Sequence, residues 1–335
     1  MISEEREKFF MHKFTNIWIK CKINNMEKLP NNRIKENFIA KNNVPENEKN
    51  DLETHLRRKQ YRSKDPISER EIEKTLENLE LINLANKSVI EAIKNLGLEV
   101  PMVFDPIRVH IIPADFQSCT LENNQGQYQT IEDRIIVRKQ KDNLQFYKVM
   151  VHELLHAYSW NKFYIKETKE GFRGGAKRSG YSYSSKENED EMQFQGLTEA
   201  IIEDFQREIT YHHAEDLTNL TTDDKNVLEI KALNWNAYTF ERDLLHYAID
   251  RLAKENNLEI NEIRQKLRKG LFTGEMMFLR IFEKTFGPDT LKILAKFGGI
   301  GQMEDEEVYE QFKQYFDSSS EQKEEIVKIL LGSKI

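Results

Sequence analysis

Residues 143–160, NLQFYKVMVHELLHAYSW, decide how this chain is read. Phe146, Val149, Met150, Leu154 and Ala157 recur at intervals of three and four, the period of a helix that turns one face to a core. On such a helix His152 and His156 share a face, with Cβ atoms about 5–6 Å apart. Glu153 follows His152 directly and sits about 100° around the axis, at the edge of that face.

The surroundings predict an α+β fold. Upstream, IRVHIIP (107–113) and RIIVRK (134–139) are short β-branched runs expected to be strands of a small sheet, separated by a polar segment containing NNQGQY. Before them, DPISEREIEKTL carries a helix start, with Ser68 as cap, Glu71 completing a capping box, and Ile67 and Ile72 as a staple. That helix is expected to reach about Asn95, with Gly97 near its end. Downstream, residues 161–192 are rich in Gly, Ser, Lys and Glu and read as a loop. GLTEAIIEDFQREI then opens a second helix, and beyond Asp223 successive helices follow, with breaks at FGPD (286–289) and FGGIG (297–301). Three parts are predicted: an N-terminal arm or linker over 1–65, partly disordered, a mixed domain over 66–210, and a helical C-terminal lobe over 211–335.

Bulk properties narrow the function. A chain of 335 residues can bury a substantial core. Its net charge of −7 and pI near 5.8 argue against a general nucleic-acid binder, which needs a basic face for phosphates. Residues 1–65 carry 15 Lys and Arg against 10 Asp and Glu, so this arm is basic. A solvated arm is the plain reading of it, and docking to membrane or nucleic acid the alternative. Two cysteines, Cys21 and Cys119, indicate no disulfide framework and point to a reducing compartment. The N-terminus starts acidic and its apolar residues are interrupted by charge, unlike a secretory signal, and no stretch is long enough to span a bilayer. A soluble, cytoplasmic protein is expected.

Two imidazoles on one helical face can grip one ion. Zinc takes His nitrogen at about 2.0–2.1 Å and prefers four ligands, so a catalytic site needs one more protein ligand and leaves a position for water. Glu153, off the ligand direction, is placed to accept a proton from that water. The alternative is two histidines hydrogen-bonded on a buried helix. In GLTEAIIED (196–204), Glu199 stands four residues before Glu203, so both carboxylates face one way. Glu199 is the candidate third ligand, and Glu203 the candidate partner that fixes a histidine tautomer.

VHELLHAYSW followed by GLTEAIIED resembles the gluzincin zinc metallopeptidases, the thermolysin-like class, in which an HExxH helix is joined by a glutamate from an ExxxD helix. The resemblance covers residues 149–160 and 196–204 with their flanks, and Glu203 stands where the class usually has Asp. It implies a zincin-like catalytic domain over 66–210, a Zn2+ cofactor held by His152, His156 and Glu199, and a polypeptide substrate hydrolysed with Glu153 as base. It also places a donor for the developing oxyanion after the ligand glutamate. Tyr238, in NWNAYTFERDLLHYAIDRLA with Arg242 one turn on, is the candidate, with His246 as the second choice and core packing as the rival reading of either.

Other residues invite roles. His212 and His213 read as a solvated helix end. FRGGAKRSGYSYSS (172–185) could shape a substrate loop with Arg178 and Tyr181 near the cleft, or be a plain connection. ENEDE (187–191) lacks the ligand spacing of a calcium loop. Two rivals to a peptidase stand: a catalytically inactive or regulatory zinc-binding protein that binds polypeptides, and a helical interaction protein with an accidental HExxH.

Overall fold

The computed structural model describes residues 70–100, 102–116, 124–130, 133–168, 171–184, 192–221, 224–233, 238–297 and 306–332, with the two-residue strand β1 (Phe38–Ile39). The rest of the expected N-terminal arm, both cysteines, Ser68 and the acidic run 187–191 lie outside the described residues.

Helix α1 (Leu76–Asn95) starts later than the sequence predicts. Thr75 is its cap: the Thr75 side chain accepts from the Asn78 N–H, and the Asn78 side chain accepts from the Thr75 N–H. Of the predicted box, Ser68 lies outside the described residues and Glu71 is turned to other partners. Glu71 is held by His110 and Lys74, and the Ile72 N–H donates to the Ile111 carbonyl. The helix ends where expected, with Gly97 in the left-handed region at φ +75°.

Three strands form the sheet beside it: β2 (Val109–Ile112), β3 (Gly126–Gln129) and β4 (Arg134–Arg138), in the order β2-β4-β3. β2 runs parallel to β4 and β3 antiparallel to it, which leaves β3 as an edge. Strand alternation sorts the side chains. Val109, Ile111, Ile135 and Val137 enter the main core, whereas Ile112 and Ile136 pack on the opposite face with Phe116. The polar NNQGQY segment therefore supplies a third strand, which lies at the edge of the sheet on the far side of β4 from β2.

Helix α2 (Asn143–Tyr158) starts at Asp142, whose carboxylate accepts from the Gln145 N–H. It packs between α1, the β3–β4 side of the sheet and the next long helix. From Phe146 to Tyr158 every residue is buried except His152 and His156. Burial of apolar side chains, at about 1.5–3 kcal/mol each, fixes this helix so firmly that its two histidines have a single outlook.

Within residues 161–192, read as loop, the described residues are mostly strand instead. β5 (Asn161–Thr168) and β6 (Gly171–Ser179) form a hairpin that continues through β7 (Ser182–Ser184) to β8 (Met192–Gln193), with β1 parallel on the outer edge of β5. The hairpin is anchored at its root, where Trp160 N–H donates to Leu271 O and Gly180 N–H to Trp160 O.

Helix α3 (Gln195–His212) packs on α2, and the helical remainder follows as α4 (Ala214–Leu217), α5 (Lys225–Leu233), α6 (Thr239–Asn256), α7 (Ile260–Thr273), α8 (Leu279–Phe286), α9 (Thr290–Lys296), α10 (Glu306–Asp317) and α11 (Ser320–Gly332); α4 to α7 and α9 pack on α3, and α8, α10 and α11 pack on α6 and α9. One apolar core runs from Leu81 in α1 to Leu330 in α11, and the expected boundary at 210–211 falls inside α3. Among the described residues no helix is long and apolar enough to cross a membrane.

Candidate metal centre

The face that α2 turns to α3 is where the chemistry-bearing residues meet. His152 and His156 have ring centroids 5.0 Å apart. Across from them, Glu199 Oε2 lies 3.3 Å from His152 Nε2 and 3.2 Å from His156 Nε2. One ligand atom from each of the three residues falls within 4.8 Å of the others. A tetrahedral ion with bonds of about 2.0–2.1 Å separates its ligands by about 3.3 Å, so the carboxylate-to-imidazole distances suit zinc. Two nitrogens and one carboxylate oxygen are also a donor set that zinc accepts in catalytic sites.

Electrostatics keep these groups poised. Burial works to raise the Glu199 carboxyl, and His156 and His152 outweigh it, holding it well below the ordinary carboxylate range. Burial would lower His152, yet the carboxylates of Glu199 and Glu203 beside it push it well above the usual histidine value. The cluster thus holds an anion, Glu199, against two imidazoles.

Glu203, one turn along α3, is fully buried. Its Oε2 lies 3.7 Å from His152 Nδ1, on the ring edge opposite the one that faces Glu199, and its Oε1 accepts from Arg207 Nε at 2.9 Å.

Glu153 stands outside the triad, as its place on the helix requires. Its Oε2 accepts from the backbone N–H of Tyr128 at 2.7 Å, which ties it to the edge strand β3. Burial, the largest influence, raises its pKa above the ordinary value, against the pull of His152 and His156. That moves it towards a group able to take up and return a proton. Gly126 makes this approach possible: a Cβ there would meet Val149 Cγ1 at 2.6 Å and Glu153 Oε1 at 3.0 Å. Neither Gly126 nor the Tyr128 amide was among the sequence candidates. The glycine within a short polar run was the available signal, since glycine in a strand often marks close backbone approach.

Of the two oxyanion-donor candidates, only Tyr238 reaches the cluster. Its ring lies parallel to that of His152, with centroids 6.0 Å apart. It is not a core tyrosine on a helix but the residue before α6, in the left-handed region at φ 49°. Glu199 and then burial push its hydroxyl well above the usual value, so it stays a donor. Phe194, which heads α3, is also left-handed, at φ 58°. Two helices that meet at the cluster thus begin at strained aromatic residues, a feature that gathers at functional sites. His246, two turns further along α6, instead pairs with Asp204 at 2.8 Å.

The remaining candidates are placed elsewhere. His213 pairs with Asp216 at 2.9 Å, and His212 is exposed at the end of α3. Tyr181 is buried and donates to the Leu267 carbonyl, and Arg178 stacks on Trp160 at 4.9 Å. Both belong to the junction of hairpin and α7.

Comparison of the chain with protein-family models, curated proteins and solved structures finds no match. What the site can do has to be taken from its own residues and geometry.

Proposed function

We propose that this protein is a zinc-dependent metallopeptidase of zincin-like architecture, with His152, His156 and Glu199 as the metal ligands. The observation that carries this reading is the division of labour within one helical turn. Two histidines converge with Glu199 at ligand separations, while Glu153, adjacent in sequence, is held off that triad on the rim beside β3. A buried structural ion cluster has no need of a carboxylate set aside in this way.

When bound, zinc supplies a Lewis-acid centre that polarises the scissile carbonyl and makes water a nucleophile near neutral pH. Glu153 takes the proton from the attacking water and passes it to the leaving amine, for which its raised pKa suits it. Tyr238 donates to the oxygen that gains negative charge as the tetrahedral centre forms. Among the described residues β3 is an edge strand of its sheet and lies beside Glu153, where an extended polypeptide would run. A cytoplasmic location accords with the sparse cysteines.

The test pairs metal analysis with turnover. Purified protein should hold zinc at one ion per chain and cleave an unstructured polypeptide, and chelation should abolish cleavage reversibly. Stoichiometric zinc without hydrolysis of any polypeptide would favour a regulatory zinc-binding protein, and absence of zinc would remove the reading altogether.

A further inference from the structure

We infer that Arg207 is a positioning residue for the metal-binding imidazole of His152 and acts through Glu203, an inference that rests on the metal reading above. Glu199, Glu203 and Arg207 form an i, i+4, i+8 row on α3. Glu199 faces the Nε2 edge of His152, and Glu203 faces its Nδ1 edge. A ring that donates its Nδ1 hydrogen to Glu203 presents Nε2 as a lone pair, the tautomer a metal ligand needs.

The departure from the thermolysin-like pattern is informative here. A glutamate at 203 has one methylene more than aspartate and one more rotatable bond, so by itself it aims less well. Arg207 removes that freedom. Its Nε donates to Oε1 at 2.9 Å, and both side chains are deeply buried, Glu203 at 0% and Arg207 at 9% exposure. Oε2 is then left with no hydrogen bond of its own and with His152 Nδ1 at 3.7 Å. A buried carboxylate oxygen without a partner is costly, which drives it towards the imidazole hydrogen as the ring settles on an ion. A charge-assisted bond to a guanidinium is also the kind strong enough to hold the other oxygen in place while this happens.

Full-length protein is the material for the test. Zinc affinity is measured by competition with a chromophoric chelator, and ligand geometry by the visible absorption of the cobalt(II)-substituted protein. Arg207→Ala and Glu203→Gln should each weaken zinc by about 10- to 100-fold, the usual effect of losing a partner behind a metal ligand, and should shift the cobalt bands. In the Glu203→Gln background, Arg207→Ala should cost no further affinity. Arg207→Lys, which returns a cation one turn from Glu203, should recover most of the loss. Arg207→Met keeps the aliphatic stem and replaces alanine should the alanine variant fail to fold. A merely structural arginine would lower the melting temperature of the metal-free protein and leave the cobalt spectrum unchanged, which overturns the inference. Equal losses with and without Glu203 overturn it as well. Failure of the wild-type protein to take up zinc or cobalt would sink the metal reading and this inference together, and is distinguishable because no variant is needed to see it.

Discussion

Glu199 with Glu203, and Asp204 with Glu208, are two pairs of carboxylates at the same i, i+4 spacing on one helix, turned to different neighbours. The second pair is closed by a permanent cation. Arg268 Nη2 lies 2.8 Å from Asp204 Oδ2 and 2.8 Å from Glu208 Oε2, and its guanidinium stacks on Phe205 at 4.4 Å. In the first pair Glu203 also holds a guanidinium, that of Arg207, but among the described residues the ion-pair partners of Glu199 are imidazoles. Burial raises both Asp204 and Glu199, and their partners pull both well below the carboxylate range, so each is an anion. The difference lies in the counter-charge. A guanidinium keeps its proton at any pH a protein survives, whereas imidazoles can give theirs up to a dication. The same spacing therefore builds a structural lock on one side of α3 and the proposed metal site on the other.

The largest expected effect separates chemistry from metal holding within the open site. Glu153→Gln keeps the shape and leaves all three ligands in place, so zinc should remain bound. Peptide hydrolysis should fall by about 10²- to 10⁴-fold, because an amide cannot accept the proton of the attacking water. Zinc content and turnover need to be read from one sample. Undiminished turnover with zinc in place would remove Glu153 as the base, and loss of zinc would mean that Glu153 is itself a ligand.

Next in size is the contrast between the pairs. Glu199→Ala should weaken zinc at least about 100-fold, more than the loss of an outer partner does. His212→Ala and Asp204→Asn should leave zinc affinity within about twofold of the wild type, since neither residue touches the triad. Equal metal retention across the three variants would erase the distinction between the two pairs. Arg268→Ala probes the closed side from the opposite direction. It removes a guanidinium from part-buried Asp204, which His246 still holds, and from the more exposed Glu208, so a stability loss of about 1–3 kcal/mol is expected in urea denaturation of the metal-free protein. An Arg268→Ala protein as stable as the wild type would mean that the lock is ornamental.

Legibility in the sequence followed the physics of each element. The α2 helix and its histidines were readable because apolar periodicity leaves little freedom about which face is buried, and the same held for the carboxylates of α3. The beginning of α1 was not. Two capping patterns compete within SEREIEKTLEN, and His110 and the Ile111 carbonyl, partners distant in sequence, engage Glu71 and Ile72 ahead of the helix that Thr75 caps. The hairpin of β5 and β6 was hidden because its glycines and lysines read as loop, while its strands are held by backbone pairing that composition does not reveal. Choosing between Tyr238 and His246 required knowing that Asp204, the residue after Glu203, claims His246.

A third pairing of carboxylate and histidine supplies the smallest effect and a control for the comparison. Glu71 lies 2.9 Å from His110 Nδ1 and 2.9 Å from Lys74 Nζ, so like Asp204 it has a resident cation. Burial raises its pKa, but His110 and Lys74 outweigh it and bring it from the ordinary 4.5 down to about 2. A carboxyl whose folded value is depressed adds stability that is fully present above the unfolded value and is lost as pH falls through the folded one. For Glu71 that window runs from about 4.5 down to about 2. The side chain is 26% exposed, so solvent screening keeps the contribution small. Urea denaturation of wild type and Glu71→Gln, followed across this range with chelator present, should show a stability gap that is constant above pH 5 or so and narrows on acidification. The gap at neutral pH should be the same with zinc as with chelator, because a carboxylate already matched by a lysine has no place for a dication. A gap that widens on adding zinc would show that a resident cation does not close such a pair, and the contrast between the two sides of α3 would lose its physical basis.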